Sequence, residues 1–168
     1  MRLTSSTFQM NGEIPKRHSG EGDDLSPPLE WSDIPGGTRE FAIICEDPDA
    51  PVRAGKEHPF VHWTIYNLSP NVSSLPEGLP AFERMELPVR ADQGINSMGN
   101  VGYNGPMPPE GHGVHHYRFT LYALDIELAL PPRARKEELV QAMSGHVLAI
   151  GKLVGTYERL AGGERRTA

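Results

Sequence analysis

Five of the seven histidines fall between residues 58 and 116: His58, His62, His112, His115 and His116. Upstream, Asp47 and Asp49 stand in the stretch CEDPDAP, 45–51, where the apolar run FAII ends. Imidazole titrates near neutrality, so an acid brought beside it makes a proton-holding pair. Three chemistries use such groups. The first is metal binding. His58 and His62 are four apart, as in a helical zinc motif, but HPFVH contains Pro59 and reads as strand. On a strand the two rings share a face about 13 Å apart, too far for one ion. His115 and His116 point to opposite faces of a strand beginning there. A metal would need His62, His115 and Asp47 brought together by strand pairing, so no metal site and no cofactor are assigned. The second is nucleophilic or paired-carboxylate catalysis. Cys45, the lone cysteine, lies in an apolar strand and reads as inert core. No Gly-x-Ser-x-Gly elbow occurs. Asp47 and Asp49, flanked by prolines, suit turn capping better than flanking a sugar. No catalytic residue is therefore named.

The third chemistry is anion binding. The segment GYNGPMPPEGHG, Gly102 to Gly113, can present loop amides to an oxyanion. Histidine and tyrosine add side-chain donors. An acid next to His62 or His115 raises that ring's hold on its proton, which predicts a cationic donor near neutral pH. A phosphomonoester loses its second proton near pH 6, so protein and ligand would share a proton and bind in a pH-dependent way. Asp49 reads as a turn tie. Met98 and Met107, in the long loop, either line a pocket or fill space.

These groups need strands to position them. REFAIICED reads as a central strand, apolar on both faces. FVHWTIYNL, 60–68, follows, rich in aromatic and β-branched types. Its odd face carries Val61, Trp63 and Ile65, its even face His62, Thr64 and Tyr66. HHYRFTLYAL, 115–124, alternates and places His115, Tyr117, Phe119 and Leu121 together. SPPLEW reads as a short edge strand. From Ser69 to Gly113 the chain is mostly loop, with one short strand near ERMELPV; a connection that long marks function. After Pro131-Pro132, the segment RKEELVQAMSGHVLAIGKLVGTYERL shows helical spacing of apolar residues, split by Gly145 into two helices. The pattern predicts a mostly antiparallel β domain with a helical C-terminal cap.

The bulk properties narrow the function. A chain of 168 residues is long enough for one domain that buries about two-thirds of its unfolded surface. We expect it to span 1–162, with a flexible tail at 163–168. A net charge of -6 argues against nucleic acid. No apolar run is long enough for a membrane span, and MRLTSSTFQM has no signal-peptide core. A single cysteine permits no internal disulfide and fits a cytoplasmic location. Eighteen glycines and sixteen prolines lie between the short apolar runs, as expected of ordered turns.

Four blocks in order, DPDAP at 47–51, FVHWTIYNL, GYNGPMPPEG and HHYRFTLYAL, resemble the phosphatidylethanolamine-binding protein family. LSPPLEW and AMSGHVLAIGKLVGTYER resemble its bacterial, Raf-kinase-inhibitor-like branch, and the likeness runs from about Leu3 to Leu160. The resemblance implies a mainly β fold: a large antiparallel sheet packed with a smaller sheet, plus peripheral and C-terminal helices. It implies a non-enzymatic protein with a surface pocket for phosphate or a phosphorylated head group. Asp47, His62, His115 and Tyr117 would make the pocket, with walls from Ala50, Pro51, Gly105, Pro108 and Pro109. It also implies a kinase or protease as protein partner and, in some bacterial members, a homodimer. The alternative is a hydrolase, metal-assisted or not, using the same cluster. Two positions depart from the family pattern. His116 replaces an arginine, removing a fixed charge and a partner for Asp49, and Met107 stands where bacterial relatives carry cysteine. The C-terminal extension that closes the pocket in eukaryotic members has no counterpart, which implies a more open site.

Overall fold

The longest apolar runs form the middle of a seven-stranded sheet. In the computed structural model, which describes residues 1–162, β4 (Glu40–Asp47) and β5 (Phe60–Leu68) pair antiparallel. The tail expected at 163–168 lies outside the described residues. The other strands are β1 (Arg2–Thr4), β2 (Gly12–Glu13), β3 (Leu29–Ser32), β6 (Ser74–Leu75), β7 (Arg84–Met85), β8 (Ala91–Gln93), β9 (His115–Leu124) and β10 (Val147–Tyr157). The large sheet runs β2-β10-β9-β4-β5-β8-β7, and a three-stranded sheet runs β1-β3-β6. Every pair in the two sheets is antiparallel except β2 with β10, so the large sheet is mixed.

Burial explains this arrangement. Phe41, Ile43, Trp63, Ile65, Phe119 and Leu121 from the large sheet meet Leu3, Leu29, Trp31 and Leu75 from the small one. Each fully buried side chain of this size contributes about 1.5–3 kcal/mol. The opposite face of the large sheet, with Ala42, Ile44, Tyr66 and Leu124, is covered by Leu139 and Met143 of α1 (Lys136–Met143). Both faces of β4 are therefore buried, as its unbroken apolar run predicts.

Three expectations are corrected. The SPPLEW strand is the middle strand of the small sheet, not an edge; its prolines precede Leu29, where the ladder begins. The helical C-terminal cap is one helix, not two. Gly145 adopts φ +80°, and the chain after it is β10, paired with β9 along its length. From Gly151 onward it alternates, with Gly151, Leu153, Gly155 and Tyr157 buried. A helix there would carry two interior glycines at about 1 kcal/mol each, whereas the strand uses one of them for close packing. A Cβ on Gly155 would lie 2.4 Å from Ile14. Thirdly, β5 is not a regular alternating strand. Cys45 faces Trp63 while Glu46 faces Val61, so His62 is the extra residue of a β-bulge.

Candidate functional site

β4, β5 and β9 end side by side, and the loops leaving them enclose a cavity of about 360 Å³. Asp47, His62, His115, Tyr117, Ala50, Pro51, Gly105, Pro108 and Pro109 all line it. Phe60, Met98 and Met107 add apolar wall, and the exposed Arg53 and Lys56 line its loop side together with Glu57 and Ser97. The two methionines left open by the sequence are thus pocket residues.

Asp47 is the last residue of β4 and is 3% exposed. Its Oδ1 accepts the N–H of Asp49 at 2.8 Å, an Asx turn that the DPD spacing makes possible. Its Oδ2 accepts Nδ1–H of His115 at 2.7 Å. His115 opens β9 and shares a face with Tyr117, as strand alternation predicts. His62 reaches the same floor by way of its bulge, and its ring meets Tyr117 edge-on with centroids 5.1 Å apart. Alternation alone would group His62 with Thr64 and Tyr66, and the bulge is what re-aims it. Its Nδ1–H donates to the Asn104 carbonyl at 2.7 Å, and the Asn104 N–H returns a bond to the His62 carbonyl at 3.0 Å.

The electrostatics correct one expectation. Burial pushes the His62 ring below the usual imidazole value, and the Asn104 carbonyl and the Asp47 charge only partly oppose this. His62 is therefore a neutral ring at pH 7, not a cationic donor. Burial also pushes the Tyr117 phenol up, so it remains an O–H, and no group among the described residues bonds its hydroxyl. Cys45 is buried and its thiol is pushed well up by desolvation, which makes it an inert core residue.

His116 supplies a second correction. Asp49 keeps a partner despite the missing arginine: its Oδ2 accepts both the N–H of His116 at 2.8 Å and Nδ1–H at 2.7 Å. Desolvation pushes the Asp49 carboxyl up, but these bonds outweigh it and hold the group below the usual carboxylate range. The acid does tie a turn, and it ties that turn to β9.

Several contributors carry no sequence signal at the spacing of a motif. His112 places Nδ1 2.7 Å from Nε2 of His115, extending the Asp47–His115 pair into a chain of three groups. Asp24 accepts the N–H of Gly105 at 2.6 Å and Nδ2–H of Asn104 at 3.0 Å, fixing the loop that holds His62. A Cβ on Gly105 would lie 2.0 Å from the His18 carbonyl oxygen, so only glycine fits in that wall. Ser97 donates to the Glu57 carboxylate and accepts the N–H of Val61. His58, set aside as a metal ligand, bonds the Ala50 carbonyl through Nε2 at 3.1 Å. A larger cleft of about 630 Å³ lies elsewhere, lined by Arg39, Arg84, Arg90 and Asp92 among others. All three of these arginines are already paired, Arg84 with Asp92, Arg39 with Glu127 and Arg90 with Glu86.

Two packed sheets, one covering helix and an open pocket at the ends of the central strands define a β-pocket protein. The chain belongs to the phosphatidylethanolamine-binding protein family, whose family model matches residues 4–158. It is 46% identical over 155 residues to a UPF0098 protein of Pyrococcus horikoshii, covering 92% of this chain and 75% of that one. A UPF0098 protein of Methanothermobacter thermautotrophicus is 45% identical over 159 residues, covering 95% and 99%. Among solved structures, a phosphatidylethanolamine-binding protein homologue of Chlamydia trachomatis superposes with a TM-score of 0.83 at 41% identity, covering 94% and 97%. YbcL of E. coli, described as a member of the mammalian family, gives 0.81 at 32% identity with the same coverage. No helix among the described residues is long and apolar enough to cross a membrane.

Proposed function

We propose that the protein is a non-enzymatic binding protein whose strand-end pocket takes small phosphate-like anions, free or as a phosphorylated head group. The observation that carries this is the convergence of Asp47, His115, His62 and the unbonded Tyr117 hydroxyl on one solvent-reachable cavity. Tyr117 supplies a free donor, and the Asp47–His115 pair supplies a site where a proton can be shared with an oxyanion. Arg53 and Lys56 have no acidic partner among the described residues and place positive charge beside the cavity of a chain whose net charge is -6. The family relationship supports the same reading.

The hydrolase alternative lacks a specific observation in its favour. Among the described residues, no three His, Cys, Asp or Glu side chains gather in a metal-holding arrangement. The reading is tested by titrating phosphate or O-phosphorylethanolamine while following the imidazole signals by NMR. We expect saturable shifts of His62 and His115 at millimolar ligand. Signals that stay still would remove the anion reading.

A further inference from the structure

The floor of the pocket is polar, but the space above it is not. At about 360 Å³ the cavity exceeds what a bare phosphate fills. Even at a full water volume of about 30 Å³ for each of its five heavy atoms, phosphate occupies under half of it. The remainder is bounded by Phe60, Met98, Met107, Pro51, Pro108 and Pro109, none of which offers a side-chain N–H or O–H. This apolar wall starts directly at the floor, where the Phe60 and His62 ring centroids are 4.9 Å apart. Met107 is backed by Gly20, where a Cβ would come within 3.2 Å of its sulfur. Met98 is fixed through its N–H, which Asn96 Oδ1 accepts at 2.9 Å. Both methionine side chains are about half exposed and have three rotatable bonds, so they can close over ligand bodies of different shape. Water against such a wall lacks partners, and an apolar group that displaces it gains affinity.

Charge narrows the body of the ligand further. The carboxylates that line the cavity are those of Asp47 and Glu57, and both are engaged. Asp47 accepts the Asp49 N–H and bonds His115, while Glu57 accepts the Ser97 hydroxyl and lies against Glu137. The cations on the loop side, Arg53 and Lys56, have no acidic partner among the described residues. An ammonium on the ligand would approach these two like charges with no free carboxylate to offset them. An uncharged body meets no such cost.

We propose that the pocket selects small phosphomonoesters with an uncharged apolar body, an aromatic ring or a short alkyl group, and disfavours aminoalkyl esters. Met98 and Met107 are the residues that set this preference. The selection rests on the anion-binding reading above: the phosphoryl group takes the floor and the body takes the wall.

The test is calorimetric titration, at a single pH of about 7.5 where these phosphates are mostly doubly ionised, with inorganic phosphate, glycerol 3-phosphate, phenyl phosphate and O-phosphorylethanolamine. We expect phenyl phosphate to bind about tenfold or more tightly than inorganic phosphate or glycerol 3-phosphate. O-Phosphorylethanolamine should be the weakest ester, about threefold or more below glycerol 3-phosphate. In the double variant Met98→Ser, Met107→Ser, the ratio of phenyl phosphate to inorganic phosphate affinity should fall by about threefold or more. Phenyl phosphate that binds no tighter than glycerol 3-phosphate would overturn the apolar selection. O-Phosphorylethanolamine that matches or exceeds glycerol 3-phosphate would overturn the discrimination against an ammonium. An unchanged ratio in the double variant would remove the two methionines from the selection. In each of these cases, inorganic phosphate that still binds leaves the anion reading standing; if none of the four binds, that reading itself is lost.

Discussion

Tyr117 separates binding from stability at the level of one atom. Its hydroxyl bonds no group among the described residues, so removing it strands no partner there. Tyr117→Phe should therefore weaken phosphate binding by about three- to tenfold, read by titration, while the thermal midpoint moves by no more than about 2 °C. A large fall in the midpoint with unaltered binding would assign the hydroxyl to the fold instead. The shared face of His115 and Tyr117 and the turn at Asp47 are legible in the sequence because strand alternation and an Asx turn act over two or three residues, while their gathering into one pocket is what the family resemblance implies. Asp24 was not legible, since its bonds to Asn104 and Gly105 cross about eighty residues of chain. The partner of Asp49 was misread for a related reason. A family-based comparison counts a lost arginine, but the imidazole of His116 and its own N–H together satisfy the same carboxylate.

Among the elements, α1 earned its place in the sequence pattern only in part. Leu139 and Met143 are buried against the sheet, whereas Val140 is 44% exposed. Leu139→Ala should cost about 2–5 kcal/mol in urea denaturation. Val140→Ala should stay within about 0.5 kcal/mol. Comparable losses at both positions would mean that the helix is not seated as described. The helical spacing that α1 obeys was carried too far, into β10. Val, Leu and Ile at mixed spacings suit either period, and the choice falls to the partner: β9 offers a full ladder, and Gly155 lets Ile14 and Phe8 approach. The bulge at His62 was equally hidden, because register between two strands belongs to neither strand alone.

For the whole molecule, two buried histidines set a pH dependence. Burial is the first cause in each case: it pushes His62 and His18 below the usual value of 6.5, against the opposing carbonyls of Asn104 and Leu25 respectively. Between that value and the lowered one, the unfolded chain binds protons that the native rings refuse. Stability therefore rises with pH across this window, and it is lost as pH falls below about 6.5 until the native rings also titrate. We expect the urea midpoint to decline from pH 7 to pH 5, and His18→Gln to flatten the decline. A midpoint that rises over the same interval would contradict it. Asp49 acts in a lower window with the same downward displacement: its depressed carboxyl adds stability that disappears as the medium becomes strongly acidic. By itself the sequence determined the long strands β4, β5 and β9, the mainly β class and the acid and imidazoles that stand at the strand ends, because hydrophobic period and turn chemistry are local. Only the tertiary structure decided that β10 is a strand, that His62 turns toward Tyr117, and that His112 closes on His115. Each of these depends on which backbone or ring the rest of the chain brings alongside, and that free energy does not exist until the chain has folded.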